Sequence, residues 1–211
     1  MYFENREEAG IKLAQEIIKK IPDLKSNPDV VILALPRGGV PVAYEIAKIL
    51  KAPMDLILTH KLGAPENSEF AIGAVAEDGS SFLDKESCSG ISNSYIKEEI
   101  VRQLKEIKHR IEKYREGKPL TKLQGKIVIL VDDGIATGNT MKAAIALAKN
   151  AKAKKIIVAV PVLPSEILGS LKKEAEVVYL DTPFPFFAIG RFYNNFSQLT
   201  DDEVKNYLAS K

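Results

Sequence analysis

Asp132 and Asp133 stand together at the end of an apolar run, Val128-Ile129-Leu130-Val131. Gly134-Ile135-Ala136-Thr137-Gly138-Asn139-Thr140 follows. These residue types suit two tasks. Paired carboxylates accept hydrogen bonds from vicinal hydroxyls and sit well near a divalent cation. Gly134 and Gly138 let backbone approach a ligand closely, and Thr137 and Thr140 supply hydroxyls. A helix opening here adds unpaired N–H groups and the positive end of its dipole. Together they suit a phosphate dianion. Charged hydrogen bonds of about 1.5–3 kcal/mol each could anchor it without a lysine. Phosphate donors beside hydroxyl acceptors describe a ribose 5-phosphate. A blander alternative is a buried strand, an acidic turn and a capped helix. Another is the strand of a nucleotide hydrolase, but its G-x-x-x-x-G-K-[ST] companion occurs nowhere in the sequence.

A second group of this kind lies upstream. Val30–Leu35 is apolar and ends in Pro36-Arg37-Gly38-Gly39-Val40-Pro41. Arg37 can grip two phosphate oxygens at once, and the glycines let backbone N–H groups join it. A further predicted strand, Met54–Thr59, ends in His60-Lys61-Leu62-Gly63. Lys61 at such an end is either a further phosphate ligand or a solvated lysine. His60 is a weaker candidate, since a lone histidine more often carries charge or packs.

The elements that must position these groups follow from periodicity. Asn5–Lys20 reads as an amphipathic helix with Ala9, Leu13, Ile17 and Ile21 in one row. Arg6 there is either a surface charge or a subunit contact. Val42, Ala43, Ile46, Ala47 and Leu50 predict a helix after the arginine loop. Met141, Ala144, Ile145 and Ala148 predict one after the acidic pair. Residues 61–125 interrupt the alternation. Phe70–Ala76 and Ser80–Leu83 flank Glu77-Asp78-Gly79, a hairpin signal, and Ser94–Glu116 predicts a long charged helix. Arg110, Tyr114 and Arg115 near its end could reach an anionic site or serve a dimer contact. Lys155–Val160, Pro164–Glu174 and Val177–Leu180 add strand, helix and strand, and Thr200 is a cap candidate for a terminal helix. About five strands linked through helices predict a mainly parallel α/β sheet with helices on both sides.

The Val128–Thr140 stretch resembles the signature of type I phosphoribosyltransferases, which use phosphoribosyl pyrophosphate (PRPP) and magnesium. The whole pattern is most similar to predicted phosphoribosyltransferases of unassigned acceptor. The resemblance implies one domain over residues 1–211, with an insertion at about 61–125 and an aromatic hood at about 181–211. It implies that Asp132 and Asp133 hold the ribose hydroxyls and touch magnesium indirectly, through PRPP or water. Gly134, Ile135, Ala136, Thr137, Gly138, Asn139 and Thr140 would hold the 5-phosphate. Arg37, Gly38, Gly39 and Lys61 would hold pyrophosphate, with a cis peptide bond entering Arg37. A loop within the insertion would close over PRPP. Typical 6-oxopurine enzymes carry Asp where this chain has Ala136, which counts against hypoxanthine or guanine. Five of the eight phenylalanines lie between Phe184 and Phe196. An aromatic there could stack on a flat base or pack the last strand.

Composition narrows the partners. The 30 Lys and Arg against 28 Asp and Glu give a net charge of +2, too little to argue for nucleic acid. The single cysteine, Cys88, excludes an intrachain disulfide framework and sits among polar neighbours as an inert thiol. With no secretory leader or membrane-length run recognised, a cytoplasmic protein is expected. The expected partners are PRPP and a small nitrogenous acceptor, without nucleic acid or membrane, and a homodimer is open. Two functions remain: a transferase, or a PRPP-sensing regulator with little or no transferase activity. No helix-turn-helix precedes residue 30, which favours the transferase.

Overall fold

The order of elements in a computed structural model, which describes residues 2–210, is α1 (Arg6–Lys20), β1 (Val30–Ala34), α2 (Gly39–Leu50), β2 (Met54–Leu56), β3 (Thr59–Gly63), β4 (Ala71–Ala76), β5 (Ser81–Leu83), α3 (Asn93–Arg115), β6 (Ile127–Val131), α4 (Asn139–Asn150), β7 (Lys155–Val162), α5 (Ser165–Leu171), β8 (Glu176–Asp181) and α6 (Asp201–Ala209). Five strands form a parallel sheet in the order β2-β1-β6-β7-β8. β1, β6 and β7 are buried on both faces, as expected for a parallel sheet sandwiched by helices. The two faces sort by alternation. Ile32, Ala34, Ile129, Val131 and Ile157 pack with Leu13 and Ile17 of α1 and Val42, Ala43 and Ile46 of α2. Val31, Leu33, Val128, Leu130 and Val158 pack with Met141, Ala144, Ile145 and Ala148 of α4.

Helix boundaries follow capping chemistry. Asn5 caps α1 by accepting from Glu8 N–H at 2.8 Å. Ser92 caps α3, and Thr200 with Glu203 forms a capping box on α6. The expected hairpin is β4–β5.

One strand departs from expectation. The strand expected from Met54 to Thr59 breaks after Leu56, and Thr59–Gly63 joins a separate antiparallel sheet in the order β3-β4-β5. Leu58 N–H donates to the Glu77 carboxylate at 3.1 Å, at the crossing between sheets. His60 and Lys61 therefore lie inside β3, not in a loop beyond a parallel strand. Arg115 also belongs to this joint. Its guanidinium forms a buried pair with Glu77, tying the end of α3 to the hairpin.

The aromatic tail folds back on the chain start. Phe3 N–H donates to Phe192 C=O and Asn194 N–H to Phe3 C=O, both at 2.8 Å. Phe3, Ala9, Val162, Phe192 and Tyr193 form a third apolar cluster. No helix among the described residues is long and apolar enough to cross a membrane.

Candidate active site

β1 and β6 pair in register, with Ala34 opposite Val131. Their chains therefore leave the sheet at the same level, Leu35 N–H still donating to Val131 C=O at 2.8 Å. The arginine loop and the acidic pair become neighbours at the carboxyl edge of the sheet, where open α/β sheets bind ligands. A cis peptide bond joins Pro36 to Arg37, as expected. The two loops touch closely. A Cβ at Gly38 would lie 2.0 Å from Asp133 Oδ2, and one at Gly39 would lie 2.6 Å from Val131 O. Only glycine fits there, so the pair is required by loop packing as well as by any ligand.

Asp133 is held on every side. Asp133 Oδ2 accepts from Arg6 Nε at 2.7 Å, and Tyr193 Oη donates to Asp133 O at 2.6 Å. Arg6 Nη1 donates to Ser197 O at 3.0 Å, and its guanidinium lies 3.8 Å from the centre of the Phe196 ring. Arg6 and Asp133 are both buried. Asp132 is half-buried, and its Oδ1 accepts from Asp133 N–H at 2.8 Å. Burial and the neighbouring Asp133 charge push the Asp132 carboxyl well above the usual carboxylate range. Burial raises Asp133 too, opposed by Arg6. The cation favours ionised Asp133, so Asp132 is the more readily protonated of the pair.

Beyond the pair, Ile135 N–H donates to Val162 C=O at 3.0 Å, tying the loop to β7. A Cβ at Gly134 would lie 2.7 Å from Ile189 Cγ2, so the tail packs directly on this loop. Gly138 has φ +80° and turns the chain into α4. Ala136 and Thr137 are exposed and Thr140 half-buried, whereas the side chains of Ile135 and Asn139 are buried. Asn139 can offer a ligand only backbone, and Ile135, its N–H held by Val162, packs the loop and is not placed to donate to a ligand. Arg37 is partly exposed, with Nη1 3.8 Å from Asp201 Oδ1. Lys61 Nζ donates to Glu69 Oε2 at 2.7 Å instead of joining the two loops.

Arg37, Gly38, Gly39, Asp132, Asp133 and Gly134 thus converge, and Gly134 to Thr140 continue into α4. Sequence reasoning missed Arg6, Tyr193 and Asp201. Arg6 carried one signal. A cation in the first turn of a helix opposes the dipole, so a fixed anionic partner was to be expected. Tyr193 and Asp201 meet the site only through long-range packing.

A family model described as phosphoribosyl transferase domain matches residues 2–190. The chain belongs to this phosphoribosyl transferase family. It is 44% identical over 209 residues to "Putative phosphoribosyl transferase Rv0571c" of Mycobacterium tuberculosis (strain ATCC 25618 / H37Rv). That alignment covers 98% of this chain and 46% of the relative, so the chain spans about half the length of the curated relatives it matches. A crystal structure of TT1426 from Thermus thermophilus is similar at 40% identity and a TM-score of 0.83, over 99% of this chain and 98% of that one. The AQ2163 protein from Aquifex aeolicus shares the fold at 14% identity and a TM-score of 0.51, over 96% of this chain and 84% of that one.

Proposed function

We propose that the carboxyl edge of the parallel sheet binds PRPP and transfers its ribose 5-phosphate to a nitrogenous acceptor, releasing pyrophosphate. The observation that carries this reading is the contact between the arginine loop and the acidic pair, where Gly38 meets the Asp133 carboxylate beside the opening of α4. The 5-phosphate would take backbone N–H groups from residues 134 and 136–140 and the hydroxyls of Thr137 and Thr140, the Ile135 N–H being held by Val162 C=O. Asp132, the less buried of the pair, would accept from the ribose hydroxyls, with Asp133 behind it as a charged buttress fixed by Arg6. Arg37 and the Gly38 N–H would hold pyrophosphate, while Gly39, whose N–H donates to Leu35 C=O at 3.0 Å, would allow close approach. Lys61 could join them only by leaving Glu69.

As pyrophosphate departs, positive charge develops at the ribose C1. The acidic pair favours that charge, while Arg37 and the loop N–H groups stabilise the leaving group. A nitrogen lone pair of the acceptor then forms the new C1–N bond. The acidic pair suits a divalent cation. No cluster of three or more His, Cys, Asp or Glu side chains that could hold a metal ion occurs among the described residues. A magnesium ion would therefore draw most ligands from PRPP and water, and would supply charge neutralisation of pyrophosphate.

The hood suits a flat acceptor. Phe184 and Phe187 are exposed, with the Arg191 guanidinium 5.2 Å from the centre of the Phe187 ring, whereas Phe192 is buried in packing. The absence of a carboxylate at exposed Ala136 argues against a 6-oxopurine. We take residues 1–211 as one domain, with the insertion at about 61–125 and the hood at about 181–211. A cytoplasmic setting and a homodimer belong to the same reading.

The test is incubation with PRPP, magnesium and a panel of nucleobases while following pyrophosphate release. Acceptor-dependent release supports the transferase and names the acceptor class. Tight PRPP binding with no release under any acceptor favours a sensor of PRPP instead.

A further inference from the structure

Two donors from α3 and the Arg37 guanidinium meet around one carboxylate. Asp201, in the first turn of α6, accepts from Tyr114 Oη at Oδ1 and from Lys113 Nζ at Oδ2. The Arg37 guanidinium lies 3.8 Å from Oδ1. Two cations and a phenol hydroxyl thus surround a single negative charge, at the end of the sheet where the arginine loop begins. This is a surplus of positive charge and donors for one carboxylate, and a good match for a polyanion. The Tyr114 hydroxyl is pushed up to about 12 by burial and the Asp201 charge, so it remains a donor at neutral pH.

The element carrying Asp201 is lightly held. α6 has nine residues, and Val204 is its one buried side chain among those described. Its later turn is tied by Tyr207 and Leu208, partly buried against the core, by a ring contact at 5.2 Å between Tyr207 and Tyr44, and by a hydrogen bond from Tyr207 to Glu7. A cavity of about 890 Å³ separates Lys205, Leu208 and Ala209 of α6 from the end of α3 and from Met54 and Asp55. Asp201, Asp202 and Glu203, ahead of Val204, are not buried, so the carboxylate can leave with little packing lost while the later turn stays docked.

We propose that Asp201 is a built-in stand-in for the leaving group: it occupies the pyrophosphate position against Arg37, Lys113 and Tyr114, and substrate pyrophosphate displaces it. Lys113 and Tyr114 then become substrate ligands, and the first turn of α6 swings away from α3. Arg37 in the free protein is kept from other anions until PRPP, richer in charge and acceptor oxygens than a carboxylate, outcompetes Asp201. The proposal rests on the phosphoribosyl transfer reading.

The test compares wild type, Asp201→Asn and Lys113→Met by titration calorimetry with magnesium pyrophosphate and, separately, ribose 5-phosphate. Asn keeps the shape of the residue and still accepts from Tyr114, and the Thr200 cap is untouched. We expect Asp201→Asn to tighten pyrophosphate binding by about fivefold, the scale of one partly exposed ion pair. Lys113→Met should weaken it by a similar factor. Ribose 5-phosphate affinity should stay unchanged in both, because that ligand lacks the group that meets Asp201. Pyrophosphate affinity unchanged or lowered in Asp201→Asn, with ribose 5-phosphate still bound as in wild type, would overturn the stand-in while leaving the site reading intact. Unchanged pyrophosphate affinity in Lys113→Met would remove Lys113 as a ligand. Binding of neither ligand by any of the three proteins would overturn the site reading and the proposal together.

Discussion

Replacing Arg6 with Met should expose how the hood and the acidic pair depend on each other. The side chains of Arg6 and Asp133 are only 10% and 9% exposed. Removing one partner of such a pair costs about 3–5 kcal/mol, chiefly because the remaining charge is buried without compensation. Here that charge lies beside a second carboxylate, and the substitution also removes a donor to Ser197 C=O and a cation from the Phe196 face. For a domain of this size the expected fall in Tm is about 6–20 °C. The loss should depend on pH. Without Arg6 the Asp133 carboxyl rises further above its unfolded value, so the native state binds protons the unfolded chain has released. Stability is then lost as pH rises, and the deficit at pH 8 exceeds that at pH 5. The assay is urea and thermal unfolding of wild type, Arg6→Met, Asp133→Asn and the double variant at both pH values. The double variant should recover much of the loss, since no charge is stranded. A deficit for Arg6→Met under about 1 kcal/mol, or strict additivity in the double variant, would refute the coupling.

Three further outcomes follow from the same geometry. Asp132→Asn removes a carboxyl whose raised titration costs stability above its unfolded value, so it should raise Tm at pH 8, leave it nearly unchanged near pH 4, and weaken PRPP binding by tenfold or more, about 1.4 kcal/mol. Gly38→Ala forces a Cβ to within 2.0 Å of Asp133 Oδ2. It should cost about 1–3 kcal/mol in urea unfolding and reduce PRPP affinity by displacing that carboxylate. Binding of PRPP with magnesium should release protons from the acidic pair, so affinity measured in buffers of different pH should rise with pH until both carboxyls are ionised in the free protein.

What could be read from the sequence is what local pattern dictates. The runs at Val30–Ala34, Ile127–Val131 and Lys155–Val162 are strands because their residues must be buried on both faces. Thr200 marks a helix start because capping is a short-range bond, and Asn5 opens the first helical span for the same reason. The neighbouring loops at Arg37 and Asp132 were legible for a related reason, since each ends a parallel strand. Lys61 lies within β3 and not beyond a parallel strand, because nothing local in the run from Met54 to Thr59 marks the step from one sheet to the other at Leu58. That step is fixed by Glu77, 19 residues away. Arg6, Tyr193 and Asp201 escaped for the same physical reason. Arg6 and Tyr193 meet Asp133 across 127 and 60 residues, and Asp201 meets Arg37 only once α6 has docked.

The most direct measurement is calorimetric titration of the wild-type protein with PRPP in the presence of magnesium, repeated with ribose 5-phosphate as competitor. We expect saturable PRPP binding that magnesium strengthens and ribose 5-phosphate displaces. Absence of PRPP binding in folded protein, with and without magnesium, would contradict the assignment of this sheet edge as a phosphoribosyl site.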